Sequence, residues 1–299
     1  MQLKELRYIV TLADEGSVSR AADRLYMAQS SLSEFLQQYE AELGVSLFVR
    51  TSRGVRPTAA GSLFVDNART ILKHYRLVQA QLDDMADLKV GTVIFGISSF
   101  RGRHMVPRLL KAFHDKYPGI QVKLVEGNSM ALEEMLVEGS LDLAIVALPL
   151  TRLTQEPEFL KKDEILLVTH KDHPVMQYAR PREKGTGFWV DLKDTAGFEY
   201  ILSDYDTIMG RIAREEFRKA GIRPPAFNTT ITADLAASMG RTGIGLAFTY
   251  GSCADPMEDV VYLSLGEKGT WLDLALARPY AAYQSRAARA LAETAKEVL

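Results

Sequence analysis

The chain holds one cysteine, Cys253, in 299 residues. A lone cysteine excludes an internal disulfide and fits a reducing compartment. No apolar run approaches the ~20 residues that a membrane helix needs. The opening stretch MQLKELRYIV interrupts its apolar residues with charges and has neither an uninterrupted h-region nor a small-residue cleavage site, so nothing in it directs export. Among five histidines, His170 and His173 are spaced by three, but no further His or Cys lies nearby, and a metal site is not expected. GxSxG and P-loop patterns are missing, Cys253 has no nucleophile context, and no carboxylate pair stands out from surface charge, so the sequence argues against an enzyme. An excess of positive charge is missing too. Lys plus Arg number 36 against 38 Asp plus Glu, a net charge of -2, whereas phosphate binding usually leaves a basic footprint.

A composition of 47% hydrophobic and 25% charged residues is that of a globular chain, and at ~150 residues per domain its length suggests two domains. Residues 1–45 read as short helices. Leu3, Leu6, Val10 and Ala13 recur at helical spacing until Gly16. Ser17 can cap a second helix carrying Ala21, Ala22 and Leu25. After a break at 26–29, Ser30 or Ser31 can cap a third, with Leu32, Leu36, Tyr39 and Leu43 on one face and Gly44 as its stop. Two β-prone runs, 45–49 and 55–56, flank 50–54 and suggest a hairpin or wing. Thr58 can then cap a helix reaching about residue 88, roughly 45 Å at 1.5 Å per residue. On it Phe64, Ala68, Ile71, Tyr75, Val78, Leu82 and Met85 alternate steps of four and three, a heptad seam. Such a seam serves either a partner helix, making the protein a dimer, or packing on its own domain; the partner is the preferred reading.

From residue 89 strands and helices alternate: a strand at 90–97, a helix at 106–117, a strand at 121–126, a helix at 130–138 and a strand at 141–148. The pattern resumes with 164–170, 199–202, a helix at 209–220, then 231–239, 245–249 and a terminal helix from Tyr280. Repetition of this kind implies a parallel sheet covered by helices. Residues 174–190, rich in Pro, Gly and charge, read as an exposed loop.

A short helix pair followed by a wing places its second helix in the DNA major groove. On that helix Gln29, Ser30, Ser33, Glu34 and Gln37 lie off the Leu32/Leu36 stripe. Gln can pair bidentately with adenine, and Ser can hydrogen-bond bases or phosphates. Arg50, Arg53 and Arg56 equip the wing to hold phosphates or enter a minor groove. For any one of these residues alone a solvated polar face would be the plainer reading; their arrangement favours DNA. Ser17, Arg20 and Ser31 complete the candidate DNA-contacting set.

The stretch LKELRYIVTLADEGSVSRAADRLYMAQSSLSEFLQQYEAELGVSLFVRTSRGVRPTAAG resembles the winged helix-turn-helix of LysR-type transcriptional regulators. The resemblance rests on Leu6, Gly16-Ser17, Ala21-Ala22, Leu25, Gln29, Leu32-Ser33, Glu40, Leu43-Gly44, Leu47-Phe48, Arg50, Gly54 and the turn from Thr58 to Gly61. Farther on, 107–113, Tyr117-Pro118, Glu126-Gly127, 139–145, His173-Pro174, Ala220-Gly221 and Gly243-Ile244-Gly245 are similar to that family's effector-binding domain. The resemblance implies an α/β protein with an all-α-plus-wing head: a DNA-binding domain at 1–58, a linker and dimerisation helix at 59–88, and at 89–299 a two-lobed domain resembling type 2 periplasmic binding proteins. Lobe I would span about 89–161 and 266–299, and lobe II about 162–265. It further implies a cytoplasmic homodimer or homotetramer on double-stranded DNA with an interrupted inverted repeat, RNA polymerase as a candidate partner, no membrane, no cofactor, and a small-molecule effector between the lobes.

Family positions place that effector at Ser98, Ser99, Phe100, Arg101, Asn128, Ser129, Ala147, Ser203, Asp204 and Thr207. Hydroxyls and backbone amides at strand ends and helix starts suit a small anion, with Arg101 or Arg103 adding charge; simple helix capping is the alternative for Ser98 and Ser99. The chain departs from the family where Pro usually follows the recognition-helix Gln, having Ser30, and where bases are common, having Glu34, Gln37 and Gln38. Residues 174–190 exceed the family norm. Two other classes stay open: an α/β solute-binding or enzymatic protein with an incidental head, and an effector-independent DNA-organising protein. Even residues 1–58 are formally neutral, because Lys4, Arg7, Arg20, Arg24, Arg50, Arg53 and Arg56 are balanced by Glu5, Asp14, Glu15, Asp23, Glu34, Glu40 and Glu42. The position of charge, not its total, carries the nucleic-acid reading.

Overall fold

The structure, a computed structural model, describes residues 2–52, 54–85, 90–153, 155–183, 187–280 and 283–299. The chain divides into two compact units, Met1–Met85 and Ala86–Leu299. The first contains helices α1 (Leu3–Glu15), α2 (Val18–Arg24) and α3 (Gln29–Leu43), the hairpin β1 (Phe48–Thr51) and β2 (Gly54–Pro57), and the long helix α4 (Ala59–Met85). Ile9 and Leu12 of α1 bury against Ala21 and Ala22 of α2 and Leu32 and Tyr39 of α3, each large side chain contributing roughly 1.5–3 kcal/mol. Ser17 caps α2 by accepting from the Arg20 N–H at 3.5 Å. Thr58 caps α4 through the Gly61 N–H at 2.9 Å.

Two glycines let the wing and α4 seat on this core. At Gly54, φ is +128° and a Cβ would fall 2.1 Å from the Gly16 carbonyl oxygen; at Gly61 it would fall 1.9 Å from that of Leu47. Any side chain there would push the wing off the α1–α2 turn, or α4 off the segment that leads into β1. The Val55 N–H donates to Gly16 O at 2.9 Å across the first of these approaches.

Among the described residues, the second unit is built on one sheet of eleven strands. In chain order its elements are β3 (Gly91–Ile97), α5 (Ser99–Lys116), β4 (Ile120–Glu126), α6 (Ser129–Val137), β5 (Leu143–Ala147), β6 (Glu158–His170), β7 (Arg180–Pro181), β8 (Phe188–Val190), β9 (Tyr200–Ser203), α7 (Ile208–Ala220), β10 (Ala226–Ile231), α8 (Ala233–Arg241), β11 (Leu246–Tyr250), β12 (Val260–Leu265), β13 (Thr270–Ala277) and α9 (Arg286–Val298). The main path runs β10-β9-β11-β6-β13-β5-β3-β4. Strands β3, β4 and β5 pair in parallel at one end, and β9, β10 and β11 at the other. The long strands β6 and β13 pair antiparallel with each other and join the two parallel sets. One apolar core runs under both, from Phe95 and Leu109 to Tyr200 and Phe248.

Several sequence expectations are corrected. The sheet is mixed, because β6 and β13 return in the opposite direction between the parallel sets. Helix α3 starts at Gln29 with Ala28 at its N-cap and no capping side chain, so neither Ser30 nor Ser31 caps it. The chain has already turned at Tyr26, whose φ is +54°. Helix α5 starts at Ser99, seven residues before the expected 106, with Pro107 inside it. The stretch 174–190 is no plain loop: a 3-10 turn at Pro174–Tyr178 leads into β7 and β8, and β8 pairs in parallel with β12. Strands β10, β12 and β13 are additions, and the terminal helix begins at Arg286 rather than Tyr280. The expected end of the linker helix at 86–88, like Arg53, lies outside the described residues.

The seam on α4 divides. Phe64 meets Tyr39 edge-on at 5.8 Å, and Ala68 is 1% exposed. Both are packed on their own unit, contrary to their expected place in an interchain seam. Ile71, Tyr75, Val78, Leu82 and Met85 are exposed, from 38% at Tyr75 to 84% at Met85.

Candidate functional sites

On the first unit, Gln29, Ser30, Ser31, Glu34 and Gln37 of α3 are exposed and Ser33 half-buried, while Leu32 and Tyr39 face inward. Folding also sorts the formally neutral charge. Glu15 holds Arg24 at 2.8 Å and takes Arg20 onto its carboxylate and its backbone carbonyl. Asp14 pairs with Arg69 of α4. Glu40 accepts the Leu47 and Phe48 N–H groups at 2.5 and 2.9 Å, anchoring the start of the wing. Asp14, Glu15 and Glu40 are thereby engaged within the unit while Glu34 stays exposed on α3, and Arg20, an expected DNA contact, folds back onto α1. Arg50 and Arg56 on the hairpin are exposed and form no ion pair among the described residues. The positive face that total charge conceals therefore sits on the wing.

On the second unit, the expected effector residues follow strand ends and open helices, where an α/β sheet presents ligands. They divide by their local commitments. Ser98 is the N-cap residue of α5, yet its side chain makes no capping bond; the hydroxyls of Ser98 and Ser99 have no hydrogen-bond partner among the described residues. Asn128 is spent on capping α6 through the Ala131 N–H at 2.9 Å, and Ser129 is half-buried beside it. Ser203 and Thr207 bond each other at 2.9 Å, and Thr207 also caps α7 through Gly210. The Asp204 carboxylate accepts from the Asp206 N–H at 3.0 Å. Phe100 and Ala147 lie in the core.

Arg101 corrects an expectation. It is 3% exposed, and its Nε donates to Asp163 Oδ2 at 3.2 Å. Its guanidinium lies 3.6 Å above the Tyr250 ring. Asp163, on β6, further accepts the Ser252 N–H at 2.8 Å and hydroxyl at 2.7 Å. Arg101 thus joins α5 to β6 and the end of β11 instead of standing ready as a surface cation, since a buried charge requires a partner. Arg103 is also taken, by Asp234 of α8 at 3.0 Å, and His104 lies 3.2 Å from Asp255. Asp163 and Ser252 lie 62 and 151 residues from Arg101, and no spacing signal could have joined them. Two surface recesses, of about 440 Å³ beside Arg278 and Arg289 and about 330 Å³ beside Trp271, include none of the expected effector residues.

Cys253 is fully buried, and burial pushes its thiol up to about 12. His173 caps the 3-10 turn through the Val175 N–H at 3.1 Å, and burial lowers its pKa. Among the described residues no group of three or more His, Cys, Asp or Glu could hold a metal, and no helix is long and apolar enough to cross a membrane.

Residues 3–62 match the family profile described as the bacterial regulatory helix-turn-helix protein, lysR family. Residues 86–299 match the LysR substrate binding domain. The chain is 30% identical over 251 residues, 81% of its length and 77% of the relative's, to the nitrogen assimilation regulatory protein nac of Klebsiella aerogenes. It is 32% identical over 178 residues, 58% of this chain and 57% of the other, to the hydrogen peroxide-inducible genes activator of Escherichia coli. Full-length CbnR, solved with its target DNA, superposes with a TM-score of 0.64 over 100% of both chains at 21% identity, a likeness of fold.

Proposed function

The chain belongs to the LysR family of DNA-binding transcriptional regulators, and from that premise we propose how its two units divide the work. The head lays α3 in the major groove, with Gln29, Ser30, Ser33, Glu34 and Gln37 on the base edges, while Arg50, Arg53 and Arg56 of the wing hold the phosphates. The observation that supports this arrangement is the sorting of charge: Asp14, Glu15 and Glu40 engaged inside the unit, and Arg50 and Arg56 of the wing without an ion pair among the described residues. Two heads joined through the exposed α4 stripe read an interrupted inverted repeat as a homodimer, and pairs of dimers form a homotetramer in the cytoplasm, with RNA polymerase as a contact at the promoter.

The effector is a small anion held at the start of α5. The unused hydroxyls of Ser98 and Ser99 and the unpaired N–H groups of the first helical turn supply the donors. Differential affinity for two arrangements of the lobes then alters the spacing of the heads. A peroxide sensor built on Cys253 is disfavoured, because a buried thiol with so high a pKa is neither accessible nor a thiolate.

Footprinting upstream of the chain's own gene, with and without small organic acids, amino acids and inorganic anions, tests the reading. A footprint that changes with one anion, together with loss of that anion's thermal shift in Ser98→Ala/Ser99→Ala, supports it. An unchanged shift in that variant moves the effector elsewhere, and no footprint at all sinks the DNA role.

A further inference from the structure

Gln29 does not extend freely from the recognition helix. As the first residue of α3, it comes back to the first turn of α2, where Ser19 Oγ donates to Gln29 Oε1 at 2.8 Å. The amide carbonyl is turned toward the protein, and its Nε2 amino group has no partner among the described residues. Both side chains are exposed, so the bond stands on the surface that meets DNA.

We infer that Ser19 is a positioning residue that presents Gln29 to the groove as a hydrogen-bond donor. The inference rests on Gln29 reading bases. A glutamine with a free amide can pair bidentately with adenine, its oxygen accepting from N6 and its nitrogen donating to N7. With the carbonyl held by Ser19, the groove-facing group is Nε2. The edges that receive it are G N7 and O6, A N7 and T O4; cytosine, whose major-groove edge offers a donor, is rejected. Gln29 then discriminates against cytosine rather than for adenine. The early start of α3 produces this arrangement, because a helix beginning at Ser31 would leave Gln29 in the preceding turn. Ser19 also restricts the rotamers of Gln29 before binding, which spares part of the ordering cost at the interface.

Selection of full-length protein against a randomised double-stranded DNA library, with the enriched motif then measured by titration, tests the proposal. Wild type is expected to enrich a motif with one position per half-site depleted in cytosine, and Gln29→Ala to remove that depletion. Ser19→Ala is expected to lower affinity for the wild-type motif about threefold to tenfold, the range of one modest hydrogen bond. It is also expected to shift the position toward adenine as the amide becomes free to pair bidentately. Ser19→Thr, which keeps the hydroxyl, should retain the wild-type preference. If Gln29→Ala alters the motif but Ser19→Ala leaves preference and affinity unchanged, the positioning role falls while base reading by Gln29 stands. If the Gln29-dependent position is enriched in cytosine, the donor presentation is wrong. If Gln29→Ala changes nothing, or wild type enriches no motif, base reading itself falls and the inference with it.

Discussion

The buried pair between Arg101 and Asp163 can be tested quantitatively by Arg101→Ala. The Arg101 and Asp163 side chains are 3% and 1% exposed, so truncation leaves a carboxylate in the core, a loss worth about 3–5 kcal/mol. Removing the guanidinium from the Tyr250 ring, 3.6 Å away, adds up to about 2 kcal/mol for a desolvated contact. Two features reduce the total. Asp163 keeps both Ser252 bonds, and Arg101 Nη2 is a buried donor with no partner, whose removal relieves about 1–3 kcal/mol. The net expectation is a loss of about 4 kcal/mol, or roughly 8–16 °C in Tm for a unit of this size, read by calorimetry on the full chain. Arg103→Ala is the control. Its pair with Asp234 is 66% exposed on the arginine side, and its loss should cost less than about 1 kcal/mol. A double-mutant cycle with Asp163→Asn should show coupling of at least about 1.5 kcal/mol. A loss below about 1 kcal/mol for Arg101→Ala, or additive effects in the cycle, would refute the view that this pair ties α5 to β6.

Glu133 is buried on α6 and accepts the N–H groups of Thr151 and Leu153 at 2.7 and 2.9 Å, that of Arg152, and the Thr151 hydroxyl at 3.1 Å. Burial raises its pKa, but these bonds prevail and hold it below the ordinary 4.5. Its ionised form therefore contributes stability at neutral pH that is lost as pH falls through the lowered value, so Glu133→Gln should lower stability by about 2 kcal/mol at neutral pH, and by less in acid; an equal Tm difference at both pH values would contradict this. Val78→Asp, on the exposed stripe of α4, should halve the sedimenting mass while leaving the head folded; an unchanged mass places the dimer contact elsewhere. Arg50→Ala should weaken binding to specific and random DNA alike and flatten the salt slope by about one unit. A loss confined to specific DNA would make Arg50 a base reader.

The elements of the head were legible because their signals are local. The helical spacing that begins at Leu3 and Leu6, the Ser17 cap, the Gly16 and Gly44 stops and the wing at Gly54 each depend on residues a few positions apart, although the inward face of α1 is Leu6, Ile9 and Leu12 rather than the Leu3, Leu6, Val10 and Ala13 set. Where the structure departs from those signals, either a neighbouring turn or a distant contact had overridden the local rule. Ser30 and Ser31 are good caps, but the turn at Tyr26 delivers the chain into the helix at Gln29. Helix α5 is long because its first turn is held by Asp163 and Asp234 from other elements, despite Gly102 and Pro107 within it. In the same way Phe64 and Ala68 keep perfect heptad spacing while serving the core of their own unit.

Sequence by itself determined the kind of protein this is. Periodicity, caps and spaced matches identify a winged helix-turn-helix, a long helix and an α/β body, because each of those signals is a spacing between residues near one another along the chain. Tertiary structure alone decided which polar groups remain available. Arg20, Arg101, Asn128, Ser203 and Thr207 are occupied by partners, whereas Ser98, Ser99, Arg50 and Arg56 have none among the described residues. A side chain's freedom depends on what folding brings beside it, and that neighbour can lie anywhere along the chain.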